Sequence, residues 1–501
     1  MEALLRWAAE LGVSDSPSAP SPSSCLGRSL LIADFPDAGG RGLAAARDLQ
    51  RGELVLRAPR TALLTSDRVM DDDPRIASSV ASHLPRLSSV QFGQKDWMDL
   101  AILGRTLIIC LLSEVGKGKS SNWYLYLSQL PSYYTILATF NDFETEALQL
   151  ASYQVDEAIW VAQKALRGIR SDWEEATPLM KGLGFKPKLL MFKSWIWAFA
   201  TVSSRTLHIA WDDAGCLCPI GDLFNYAAPN DDNSSTDEGR DDMMHQETNK
   251  MLNQTDFDSS ERLTDGGYED VNEYRLYARK RYRKGEQVLL AYGTYTNLEL
   301  LEHYGFLLGE NPNEKIYIPL DLDLCMIGSW PRDSLYILPN GHPSFALLCA
   351  LRLWTTPRNR RKALSHQIYS GSFLSVENEL EILKWLVKKC EETLQQLPTT
   401  IEFDDNLLLL LCKLQNSTSC ITEMNRSIFE QKFAAFFRFH GFELDCSIHS
   451  KLPVRLLQSL ERWGLAVQWR CNYKRTLTKC IVHSTAIAAA QMGHVEPRMH
   501  G

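Results

Sequence analysis

Apolar and polar positions along the chain change period several times. Leu4, Leu5, Ala8 and Leu11 recur at helical spacing in the first thirteen residues and predict an amphipathic helix, followed by a Ser/Pro-rich linker at Ser14–Ser24. Short apolar runs bounded by turn residues come next: strands are predicted at Ser29–Ala33, Leu43–Ala46 and Glu53–Ala58, with turns at Ala38–Gly42 and Asp48–Gly52. That spacing predicts hairpins, not a parallel sheet. From about Pro85 the period lengthens, predicting helices at Trp97–Val115, Trp123–Leu130, Asp142–Ile169 and Lys188–Val202. β character returns at Leu207–Trp211, Cys216–Ile220 and Val271–Ala278. Beyond Glu310 the pattern is helical again, at His342–Trp354, Ser375–Leu394, Leu407–Gln415, Leu452–Trp463 and Ala466–Met492.

One stretch, VLLAYGTYTNLELLEHYGF (Val288–Phe306), carries a strand, a Tyr-Gly turn and a helix without intervening residues. Gly293 permits the bend, Thr296 or Asn297 can cap the helix, and Gly305 ends it. Tyr292 stands where the strand stops, although by itself it reads sooner as an ordinary core aromatic.

Composition narrows the class. With 501 residues, 45% hydrophobic and 23% charged, the chain can bury two or three cores. No apolar run is long enough to cross a bilayer; the best, around Ile102–Leu112, is broken by Gly104 and Arg105. Asn230–Asp270 is poor in apolar residues and predicts disorder. Residues 231–270 hold thirteen acidic side chains against three basic ones; taking that −10 from the formal −8 leaves the rest near +2. A nearly neutral body argues against a nucleic-acid binder. The basic run around Arg279–Lys284 reads as a solvated strand face. Scattered cysteines, such as Cys110, Cys349, Cys390 and Cys412, suggest reduced, buried thiols inside a cell. Cys216 and Cys218 form a C-x-C without a second pair, so no metal site is expected. The N-terminus matches a transit peptide poorly, which favours cytoplasm or nucleus and leaves a plastid open. HVEPRMHG at the end is expected to fray.

Four motifs stand in order: Gly40-Arg41-Gly42-Leu43, Ser204-Arg205, Pro219-x-x-Asp222-x-x-Asn225, and Tyr292-Gly293 with Tyr304-Gly305-Phe306. A glycine-rich segment lets backbone approach a ligand. Arg205 could pair with a carboxylate or pin the neighbouring loop, and Asp222 and Asn225 could serve a ligand or an Asx turn. The ordered set resembles the SET-domain methyltransferases. The helical insertion and helical C-terminal region narrow the resemblance to the Rubisco large-subunit lysine methyltransferase type and its plant SET-domain group.

The resemblance implies an α+β fold: a SET domain of short β-sheets over residues 25–312, with a helical insertion at about 85–202 and the acidic insert at about 230–270. An all-α substrate-binding domain over 313–491 and a tail at 492–501 would follow, with the helix and linker of 1–24 in front. It implies S-adenosyl-L-methionine as cofactor, held by Gly40, Arg41, Gly42, Arg205, Asp222, Asn225, Tyr226 and Tyr292. Tyr292 would be the catalytic tyrosine, and Tyr304 and Phe306 would line the lysine channel or cover the adenine. A monomeric protein-lysine N-methyltransferase acting on a protein substrate is thus expected. A histidine-specific enzyme and a non-catalytic scaffold are the alternatives, the latter because Tyr226 replaces the family's usual histidine and Gly39 an acidic residue.

Overall fold

The computed structural model describes residues 1–17, 23–36, 40–83, 97–148, 152–209, 212–229, 267–270, 272–320, 324, 330–416, 430–442 and 452–493. The chain divides into two compact units, one of residues 1–134 and 167–294, the other of residues 135–166 and 295–501. Short sheets lie in the first and long helices dominate the second, as expected of the α+β class.

In the first unit α1 (Glu2–Glu10) buries Leu4, Ala8 and Ala9. The described residues of the segment after it, expected as a linker, are tied into the fold. Ser14 pairs with Arg57, and Asp15 Oδ2 accepts the backbone N–H groups of Gly27, Arg28, Ser29 and Leu30 at 2.7–3.0 Å. A buried carboxylate with four donors fixes the chain there. β1 (Leu30–Phe35) and β2 (Gly40–Ala45) form an antiparallel pair, so Gly40–Gly42, expected as a turn, is strand. β3 (Leu54–Pro59) pairs with β8 (Glu273–Tyr277), which pairs with β7 (Gly267–Asp270), the last four residues of the run expected to be disordered. Its earlier part, 230–266, and the tail lie outside the described residues. β4 (Thr206–Ile209) and β5 (Asp212–Leu217) form a hairpin.

The exception to the antiparallel expectation is the pair β6 (Asn225–Tyr226) and β9 (Leu289–Leu290), which runs parallel with Asn225 beside Leu289 and Tyr226 beside Leu290. Period-two patterning cannot reveal direction, and two-residue strands leave almost no pattern.

α4 (Trp97–Lys117) packs against α8 (Phe192–Arg205), which leads directly into β4. The single helix expected at Asp142–Ile169 is two: α6 (Asp142–Glu146), started by a capping box between Asn141 and Glu144, and α7 (Ser152–Gly182). Arg279, expected on a solvated face, is buried and donates to the carbonyls of Ala227 and Ala228, whereas Lys280, Arg281, Arg283 and Lys284 are exposed.

In the second unit α9 (Asn297–His303) begins at Thr296, whose side chain accepts the Glu299 N–H in a second capping box. The two helices expected over Leu452–Met492 are one, Val454–Gly493. Gly464 falls inside it without breaking it. Phe436 and Trp463 stack with centroids 5.1 Å apart in the core, and Phe143 meets Trp463 edge-on at 5.1 Å. Two buried carboxylates here are paired: Asp404 takes Arg470 and Lys474 at 2.6 Å each, and Glu144 takes Arg462 at 2.7 Å. Cys412, expected to be buried, is exposed.

Candidate active site

The Pro219–Tyr226 segment turns sharply at Ile220, the one non-glycine residue among those described with positive φ, 72°. A β-branched residue there costs about 1–3 kcal/mol, strain that surrounding contacts must hold. A short 3-10 turn, Gly221–Leu223, follows and delivers Asn225 into β6.

Asp222 and Asn225, three residues apart, serve different partners. The Asp222 carboxylate is buried, accepts the Tyr126 hydroxyl at 2.9 Å and pairs with Arg205 Nη1 at 3.1 Å. Arg205 also donates to the Asp222 carbonyl at 3.1 Å. Its guanidinium thus pairs with a carboxylate of the neighbouring loop and pins that loop. Burial opposes the arginine's charge, but Asp222 and the phenols of Tyr134 and Tyr126 outweigh it and raise its pKa. Burial and then Asp222 push the Tyr126 phenol well up.

Asn225 instead lies against β2. A Cβ placed on Gly42 would stand 2.7 Å from Asn225 Nδ2, 3.0 Å from Gln287 Nε2 and 3.3 Å from the Phe35 ring. Gly42 thus admits the asparagine. Gly40, at φ 76°, has no atom within 4 Å of where its Cβ would be, so the strand's start leaves open space beside it. Arg41 turns away and donates to the Gln129 carbonyl at 3.1 Å.

The parallel pairing of β6 with β9 then sets Tyr226 beside the Tyr292 turn. Their rings lie 5.3 Å apart at 44°. The Tyr226 hydroxyl donates to the Gly293 carbonyl at 2.9 Å, and the Tyr292 hydroxyl donates to the Phe224 carbonyl. Burial raises the Tyr292 pKa, with Arg205 acting the other way, so Tyr292 stays a phenol at neutral pH. Gly293, at φ 139°, takes the backbone conformation that the turn requires.

Gly42, Asn225, Tyr226 and Tyr292 come together, with Arg205 and Asp222 buttressing them from the loop's other side. Tyr304 and Phe306 belong to the second unit, where Tyr304 packs 5.4 Å from Tyr295 and 6.2 Å from Phe306. Sequence reasoning missed Tyr126, Gln287 and the Phe224 carbonyl. Tyr126 lies 96 residues from its carboxylate partner, and backbone acceptors carry no side-chain signal.

The chain has known relatives in both fold and sequence. The fold resembles the SET domain of LSMT crystallised with lysine and AdoHcy, with a TM-score of 0.57 and 16% identity over 98% of this chain and 92% of that one. Residues 298–475 match the family described as Rubisco LSMT substrate-binding. Protein SET DOMAIN GROUP 40 of Arabidopsis thaliana is 47% identical over 96% of this chain and 94% of its own length. The chain belongs to that Rubisco LSMT-like family of SET-domain proteins. The actin-histidine N-methyltransferase of Danio rerio is 25% identical over 81% of this chain and 62% of its own length.

Proposed function

We propose that the protein is an S-adenosylmethionine-dependent protein N-methyltransferase acting on lysine. The observation that carries this reading is the reciprocal tie between Tyr226 and Tyr292 beside the Gly42–Asn225 contact, which holds a phenol, backbone carbonyls and an amide around one turn. The residues fit the cofactor: open space at Gly40 and the close approach at Gly42 suit backbone contacts to an amino-acid moiety, and Asn225 is placed to accept an ammonium group.

The cofactor would supply a sulfonium methyl carbon for in-line displacement by nitrogen. The protein's task is then alignment and exclusion of water. Tyr292, donating to Phe224 O, keeps its oxygen lone pairs available to orient an incoming amine. Ala291 and Leu290 are buried beside it and give the turn an apolar wall, a setting that favours the neutral amine the reaction needs. Lysine is favoured because the LSMT structure holds lysine and spans 98% of this chain. The actin-histidine relative makes histidine the variant to test. The helical unit, which contains all of residues 298–475, is the proposed binder of a protein substrate.

Calorimetric titration with S-adenosylmethionine tests the cofactor, and absence of heat at millimolar concentration would overturn the enzyme reading. Labelled methyl transfer into extract lacking this protein, followed by identification of the modified side chain, decides between lysine, histidine and a scaffold without activity.

A further inference from the structure

The helix Arg358–Tyr369 carries Arg358, Arg360, Arg361 and Lys362 and no acidic residue. Its inner side is fixed: Ile368 is buried in a cluster with Cys349 and Leu353 against which Leu364 packs, and Arg361 donates to the carbonyls of Trp354 and Thr356 at 3.0 and 2.9 Å. Its outer side presents Arg358, Lys362, His366 and Tyr369, spaced four, four and three apart, so they form one exposed stripe about 16 Å long. Among the described residues Arg358, Arg360 and Lys362 take part in no ion pair.

The stripe ends in exposed aromatics. Phe345 is 53% exposed, Tyr369 45% and Phe373 49%. Trp330 links two of them, its ring 6.2 Å from Phe345 and 6.1 Å from Tyr369. The supporting loop is held firmly, since Arg352 donates to the Gly371 carbonyl at 2.7 Å and Gln367 to the Phe373 carbonyl at 2.9 Å. Soluble proteins seldom leave such an aromatic group exposed without a partner. Cations with no ion pair among the described residues lead into it and define the partner's charge.

We propose that this surface docks an acidic segment of the protein substrate, with carboxylates along Arg358, Lys362 and His366 and an apolar side chain seated among Phe345, Tyr369 and Phe373. The inference rests on the reading that the helical unit binds a protein. It adds the class of sequence recognised. An extended segment of about five residues spans the stripe.

The test uses the full chain and fluorescence anisotropy with three labelled probes: a peptide of about twelve residues rich in Glu and Asp and bearing one Trp, its Lys/Arg counterpart, and single-stranded DNA of similar length. The acidic peptide should bind at least tenfold more tightly than the basic one and weaken with salt. Arg358→Glu with Lys362→Glu should cost it tenfold or more, and Tyr369→Ala with Phe373→Ala about fivefold, with unchanged thermal melting. Equal binding by the charge-reversed protein overturns the proposal, as does DNA binding that these variants abolish and that exceeds peptide binding. S-adenosylmethionine calorimetry on the same samples separates the outcomes: lack of cofactor binding by the unaltered protein sinks the methyltransferase reading and leaves the peptide result to be judged on its own.

Discussion

Tyr226 and Tyr292 hold each other's strands. The hydroxyl of Tyr226 is bonded to the carbonyl that follows Tyr292, and the hydroxyl of Tyr292 to the carbonyl of Phe224, while the rings meet at 5.3 Å. The two phenols are not equivalent: one secures the Gly293 turn, and the other, under the proposed function, is the one that orients the substrate nitrogen. Tyr292→Phe should therefore cut kcat by about a hundredfold or more with cofactor affinity changed less than threefold, since orienting contacts of this kind contribute several kcal/mol to a transition state. Tyr226→Phe should lower stability by about 1 kcal/mol, the net worth of one hydrogen bond, and weaken cofactor binding through a looser Gly293 turn. Steady-state kinetics and calorimetry on both variants check this, and equal losses of kcat and affinity in Tyr292→Phe would make that tyrosine structural.

Gly42→Ala is the sharpest probe of the cofactor side. The added methyl would sit 2.7 Å from Asn225 Nδ2, and one of the two must move. Because Gly42 lies in a strand whose backbone any residue can adopt, stability should fall only modestly, by about 1–2 kcal/mol. S-adenosylmethionine affinity should fall tenfold or more by calorimetry. An unchanged affinity would place the cofactor away from Asn225.

Arg205 and Asp222 form a partly buried pair whose removal should be asymmetric. Arg205→Ala leaves the Asp222 carboxylate, 3% exposed, with the Tyr126 hydroxyl but no cation, and should cost about 3–5 kcal/mol in chemical denaturation. Arg205→Ala with Asp222→Asn should recover much of that loss, because the stranded charge is gone. If the double variant is no more stable than the single one, the guanidinium matters chiefly for packing.

Much of this architecture was legible in residue order, and the failures have physical causes. The helices at Trp97–Lys117 and Val376–Gln396 announce themselves by long apolar periodicity, and the Thr296–Glu299 cap follows from its capping-box residues. The site's members Gly42, Asn225 and Tyr292 were legible as motifs. Their juxtaposition was not, because it depends on the parallel β6–β9 pair, two residues on each side. Arg279 misled because a guanidinium on a surface-like run can be drawn inward by carbonyls distant in sequence. Asp15 shows the converse, a residue inside a Ser/Pro-rich run that four backbone donors make part of the core.

Glu314 gives the helical unit a pH dependence. The residue is 9% exposed, and its carboxylate accepts the backbone N–H groups of Asn297, at 3.3 Å, and of Lys315. Burial nevertheless outweighs those hydrogen bonds and lifts its pKa from 4.5 to about 7. The sign follows directly. Between those two values the folded state holds a proton that the unfolded chain releases, so this group's contribution to stability is fully present below pH 4.5 and is lost as the pH rises through 7. The loss is on the order of 1–3 kcal/mol. Glu314→Gln keeps an acceptor for Asn297 N–H and removes the titration. Denaturation of the wild type should therefore show a stability decrease from pH 5 to pH 8 that the variant lacks in that amount, and the variant should be the more stable of the two at pH 8. Identical pH profiles would mean that Glu314 is already solvated enough to ionise freely in the folded protein.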